Sequence, residues 1–295
     1  MSNIQSTAKQ FINAATKHGI NVPDAITTAI ASNPREQLRS HLDGTPTINE
    51  AIHAALNAGK NPATDKQVQA AITARNIWQG AGDLDALHDR RISGAFRDSW
   101  DQIIEAVNTI FAPAAETFTD AHQVLASKHL DHNDAEAIRR AGDTALTAWA
   151  AALGAEETLG AIPAMLTAAH VTANPAAYGN MRRIYWTVLP NLDTWNGNEQ
   201  PKITDLWAVL DTDATLTLAR TAGEAQQRAQ LVHKEQQLAN EARAAANKKG
   251  GFGEGVATVR YLGADGKERT IDARGNIRNY IPGTTAELPP NMVNL

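Results

Sequence analysis

The sequence predicts a mainly α fold: a multi-helix bundle with a long C-terminal helix, followed by a small β-hairpin and an extended arm. Three observations carry this. Alanine, the best helix former, fills 54 of 295 positions, so much of the 43% hydrophobic fraction is small side chain. Strands of parallel sheets read as continuous branched-apolar runs, and the first 250 residues have few of these, with aromatics at only 5%. Helix start and stop signals also recur along the chain.

The N-terminal region, residues 1–80, reads as a string of short helices. The first spans about Ile4 to Lys17 and stops at Gly19, and Pro23 opens the second. Asn33-Pro34-Arg35-Glu36 joins an N-cap, a first-turn proline and an early glutamate, and Asp43-Gly44 ends that helix. Thr47-Ile48-Asn49-Glu50 is a capping box, Gly59 closes its helix, and a fifth runs from about Asp65 to Gln79.

A central bundle is expected over 81–212. Ile104, Val107, Phe111, Ala114, Phe118, Ala121 and Leu125 step by three and four, and Phe96, Trp100, Ile103 and Ile110 widen the face. Pro113 inside it predicts a kink or a fresh start. Further helices are expected from Asn133 to near Gly154, at 156–171 and at 176–189. A loop follows at 189–202, then a short helix at 203–210.

Residues 213–249 read as one long projecting helix with a poor seam: Leu218, Ala222, Ala225, Ala229, Val232, Gln236, Ala239. Helices gain most of their stability from tertiary contacts, so this one predicts a partner. Residues 250–255 form a glycine hinge, and the stretch 256–295 holds the hairpin and arm. Val256–Leu262 alternates apolar and polar, Gly263-Ala264-Asp265-Gly266 turns, the chain returns over 267–273, and 277–281 can add a third strand.

Several function classes are excluded. With no cysteine there are no disulfides, thiolate nucleophiles or thiolate metal sites. No run approaches the roughly 18 apolar residues that a membrane span requires, and MSNIQSTAKQ lacks the pattern of a secretion signal. Formal charge is −5 overall, but −8 over residues 1–219 and +3 over 220–295. Any nucleic-acid contact is therefore expected from 220–249, where Arg220, Arg228, Lys234, Arg243, Lys248 and Lys249 are spread around the helix. A solvated face is the leading reading of those charges.

Titratable residues cluster at Asp120, His122, His129, Asp131, His132, Asp134 and Glu136. His129 and His132, three apart, and Glu136, four further on, could ligate a divalent metal on one helical face. A helix start at Asn133 and Asp134 favours a solvated turn instead. His88-Asp89 resembles the central dipeptide of the all-helical HD phosphohydrolases, with His53 before it and Asp143 after. That resemblance implies metal-activated water as an alternative to a charge-laced exposed helix. The glycines at 250–255 follow a helix and precede a strand, the reverse of a phosphate loop. Tyr178, Tyr185, Trp186 and Trp195 with Arg182 and Arg183 read as core in preference to a stacking platform.

The helix 213–247, the hinge 248–255 and the tail 256–295 together resemble the layout of a virion assembly or minor structural protein of a tailed bacteriophage. The resemblance implies a non-enzymatic protein without a cofactor, in the host cytoplasm or the virion, whose partners are itself or other particle proteins. The residues expected to make those contacts are Leu218, Ala225, Val232, Ala239, Val256, Val259, Tyr261 and Ile281.

Overall fold

The structure, a computed structural model, describes residues 3–177, 183–194, 205–249, 258–272 and 277–279. The chain is mainly helical and ends in a long helix and a small antiparallel sheet, as the sequence predicts. It divides into two compact units, residues 1–103 with 168–178 and residues 104–167 with 179–295, and the division falls within two long helices.

The first unit contains α1 (Asn3–Lys17), α2 (Asp24–Ala31), α3 (Pro34–Leu42), α4 (Ile48–Asn57), α5 (Lys66–Gly80) and α6 (Leu84–Asp98). The expected caps are present. The Asn33 side chain accepts from the amides of Arg35 and Glu36, Thr47 and Glu50 bond reciprocally, and Asp65 caps α5. The Thr47 amide and hydroxyl hold the Glu50 carboxyl below its usual range. At the end of α4, Gly59 adopts φ +67° while the Lys60 amide bonds back to the Ala55 carbonyl, a geometry that a side chain resists.

The core of this unit gathers on α6, which packs against α1, α2 and α3. Phe11 and Phe96 meet edge to face with centroids 5.3 Å apart, and Ile26, Ala29 and Ile92 are buried. The unit therefore runs past the boundary expected at residue 80. A second, smaller core joins α4 to α5 through Ala51, Ala55, Val68 and Ala71.

The second unit takes most of α7 (Trp100–Ser127) and α9 (Asp143–Ala173), with α8 (Ala135–Arg140) between them. α7 runs through Pro113 as one element, and α9 runs through Gly154, where the sequence predicted a break. The helix expected at 176–189 is not formed. A 3-10 turn at Arg183–Trp186 leads into β1 (Val188–Leu189), which pairs antiparallel with β2 (Thr215–Leu216). Ile184, Tyr185, Trp186, Thr187 and Val188 are all buried, and five consecutive buried residues do not suit a helix with one wet face. Tyr185 and Trp186 are thus core; Tyr178, Arg182 and Trp195 lie outside the described residues.

α10 (Leu206–Leu210) and α11 (Ala222–Lys249) follow, then β3 (Thr258–Leu262), β4 (Glu268–Asp272) and β5 (Ile277–Asn279) in one antiparallel sheet. β3 and β4 pair with Val259 opposite Ile271 and Tyr261 opposite Arg269. α11 starts nine residues later than expected, because 213–221 is spent on a turn and β2. It does not project: it packs on β3 and β4, where Ala239, Ala242 and Ala246 meet Val259, Tyr261 and Ile271. Small side chains on the helix let the sheet approach closely, so the alanine-rich seam is covered by its own chain. The glycine hinge 250–255 and the arm beyond residue 279 lie outside the described residues. Among the described residues no helix is long and apolar enough to cross a membrane.

Candidate functional site

Three places concentrate polar chemistry. The first is the junction of α11 with its hairpin. Periodicity along α11 buries Ala225, Arg228, Val232, Glu235, Ala239, Ala242 and Ala246, a three-four repeat whose second and fourth members are charged. Glu235 is 0% exposed and faces Arg269 of β4, also 0% exposed. The Arg269 guanidinium donates to both oxygens of Asp265 at 2.7 and 2.9 Å and through Nε to Asp193 at 2.8 Å; its Nη1 lies 3.5 Å from Glu235.

Glu235 also accepts from the Tyr261 hydroxyl at 2.8 Å and from the Ala264 amide at 2.7 Å. The bonds from Arg269 pull the Asp265 carboxyl down to about 2. Burial, aided by the Glu235 charge, raises the Tyr261 phenol well above its usual range, so it serves as a donor. Burial opposes the charge on Arg269, but Asp265 and Glu235 more than offset it and hold the guanidinium charged. Every Glu235 oxygen is satisfied, so this is a clamp between helix and hairpin with no reactive group left over.

Arg228 plays the same part further back on α11. Its guanidinium, 4% exposed, reaches the carbonyls of Tyr185, Val188 and Thr217 and pairs with Glu224 at 2.6 Å. It ties α11 to the turn before β1 and is not available to a phosphate. That removes one of the six cations on which nucleic-acid binding through 220–249 was expected.

The second place surrounds Trp207 on α10, also in the second unit. Phe118 tilts against the indole at 4.7 Å, and His132 stacks on it at 4.8 Å with 5° between the planes. The Trp149 indole N–H donates to the His132 carbonyl at 2.9 Å and fixes the loop that carries it. His122 Nε2 lies 2.8 Å from Asp211, beside a cavity of about 390 Å³ between α7 and the turn before β2. A histidine held by a carboxylate can move a proton. No hydroxyl is hydrogen-bonded to His122 among the described residues, so no nucleophile is lined up for it.

The metal candidates are dispersed. His53 is exposed and bonds Asn57 one turn on. His88 is a core residue of the first unit: Nε2–H donates to the Ala29 carbonyl at 2.9 Å, and Nδ1 faces the Gln5 amide at 3.4 Å. Asp89 accepts from the same Gln5 group, so the His-Asp dipeptide ties α6 to α1 and α2. His129 ends α7 at φ +54°, with the Leu130 amide bonded to the Leu125 carbonyl, the position that glycine holds at the end of α4. His132 stacks on Trp207, and Glu136 pairs with Arg140 on the first turn of α8. No three His, Asp or Glu side chains among the described residues are placed to share a metal.

Of the residues expected to meet a partner, Leu218, Ala225, Val232, Ala239, Val259 and Tyr261 are buried within this chain, and the last three share one core. Val256 and Ile281 lie outside the described residues. The sequence reading set Arg228 on a solvated face, whereas it is buried, and it missed Glu235 and Arg269.

The third place is an open groove of about 670 Å³ in the first unit, between the C-terminal end of α3, the start of α4 and the outer side of α5. Arg39 and Leu42 stand on one wall, Arg75 and Trp78 on the other, and Ile48, Ala71 and Ala74 lie between them. Arg35 lies beside it, 5.2 Å over the Trp78 ring and paired with Asp85. Comparison with known protein families, curated proteins and solved structures finds no match to this chain.

Proposed function

We propose that this protein is a non-enzymatic assembly protein that pairs with a second copy of itself through the outward face of α9. One observation supports the reading. A surface helix normally turns a polar face to water. α9 instead turns out Leu146, Ala150, Leu153, Gly160 and Ala164, all exposed, with Glu157 the single charge in that stripe. Leu146 and Leu153 are 37% and 46% exposed and lie seven residues apart on one side. The inward stripe of Ala145, Ala152, Ala155, Leu159 and Ile162 is already buried, so the outward one is surplus to the fold.

The stripe runs about 27 Å along the helix axis. Burying the exposed parts of four leucines, two per copy, contributes about 4 kcal/mol. That corresponds to weak pairing, roughly millimolar, suited to an assembly that multiplies many contacts. The contact surface so proposed differs from the C-terminal seam first expected, which is spent on the chain's own hairpin. The reading concerns how the protein acts; membership of a phage particle adds nothing to it.

Sedimentation equilibrium tests it. The mass of the wild type is expected to climb from 31.6 kDa towards twice that value as concentration rises, while L146E/L153E stays at the monomer mass. A wild type that remains monomeric at several hundred micromolar refutes the pairing.

A further inference from the structure

We infer that the groove of the first unit is a docking site for an acidic, amphipathic helical segment of a partner protein, independent of any pairing through α9. The lining has a repeated design. On α3, Arg39 is followed by Leu42; on α5, Arg75 is followed by Trp78. Each wall therefore presents a cation and an apolar side chain one helical turn apart. A segment with a carboxylate and a large apolar side chain recurring at the same spacing matches both walls at once, which is the helix-in-groove mode of recognition.

The charges point the same way. Arg39 and Arg75 are exposed and make no hydrogen bond or ion pair among the described residues, whereas neighbouring Arg35 is committed to Asp85 and to the face of Trp78. Two unengaged guanidiniums face one lining acid, Asp43, and guanidinium is the group that binds carboxylates in bidentate fashion. Between the walls Ile48, Ala71 and Ala74 give an apolar floor, and the volume accepts one or two large side chains. Trp78, 38% exposed, is the anchor that such interfaces favour.

The test is selection of a displayed library of random peptides, about a dozen residues or three turns long, on the intact chain. Binding of the enriched peptides is then read by fluorescence anisotropy. The expected result is enrichment of Asp and Glu interleaved with Leu, Phe or Trp at helical spacing. Affinity should fall about tenfold or more in R39E/R75E, be weakened in W78A, and decline with salt. These side chains lie at the surface, so the variants keep the wild-type circular dichroism. No enrichment, enrichment of basic or uncharged peptides, or undiminished binding to R39E/R75E overturns the proposal. So does a change in the self-association of R39E/R75E, which would make the groove an interface between copies. The sedimentation of L146E/L153E is unaffected by any of these outcomes, so the two proposals fail separately.

Discussion

Replacing Arg269 by methionine keeps the bulk of the side chain and deletes its charge, which isolates the buried clamp. The guanidinium is the common partner of Asp265, Asp193 and Glu235. The two aspartate side chains, 21% and 24% exposed, can take up water when it is gone. Glu235, 0% exposed, cannot, and keeps only the Tyr261 hydroxyl and the Ala264 amide. Breaking a buried pair from one side costs about 3–5 kcal/mol. For a unit of this size that lowers Tm by roughly 6–20 °C. Urea unfolding followed by both tryptophan fluorescence and far-UV circular dichroism reads the loss, and coincidence of the two curves licenses the free energy. E235Q in the same background removes the stranded charge, so the double variant should cost about 2 kcal/mol less than the sum of the singles. An R269M loss below about 1 kcal/mol, or strict additivity, refutes a buried, mutually dependent cluster.

Two more outcomes follow from the same contacts. Gly263 leaves no room for a side chain, since a Cβ there would sit 1.7 Å from Arg269 Nη1 and 2.9 Å from Glu235 Oε2. G263A should therefore cost about 1–3 kcal/mol in the wild type but much less in R269M, a difference that the same urea curves measure. Asp265 titrates at about 2 in the folded chain and near 3.9 when unfolded. Its depressed value means that its contribution is complete above about pH 4 and is lost as the pH falls towards 2. Urea midpoints should drop through that window in the wild type and less steeply in D265N.

The sequence made helices legible where capping chemistry is local. Asn33, the Thr47–Glu50 box and Asp65 act within four residues, so they need no tertiary information. Long-range compensation was not legible. The seam of α11 has the right period, and Ala225, Val232 and Ala239 are buried as read, but Arg228 and Glu235 take the two positions that the sequence suggested for Ala229 and Gln236. A charge reads as solvent-facing until its partner is known, and apart from Glu224, four residues back, the partners here lie 11 to 43 positions away. The supposed projection of α11 followed from that error, since a seam of alanines looks too poor to pack until a close-fitting sheet is set against it. Gly154 illustrates the converse, a helix stop that stops nothing because its neighbours on α9 are strong helix formers. His88-Asp89 shows why a dipeptide carries little chemistry by itself: both residues are absorbed in tying three helices together. The groove was missed because its four wall residues come from two helices more than 30 positions apart.

α11 and the hairpin of β3 and β4 are satisfied by their own packing, and the proposed pairing falls to α9. Hydrogen exchange of the full chain at low and high protein concentration tests both halves together. Amides around Ala239–Ala246 and Val259–Tyr261 should be protected already in the dilute monomer and unchanged on concentration, while those around Leu146–Leu153 slow as copies pair. Fast exchange of the hairpin in the monomer, with protection appearing there on concentration and none gained in α9, would contradict it.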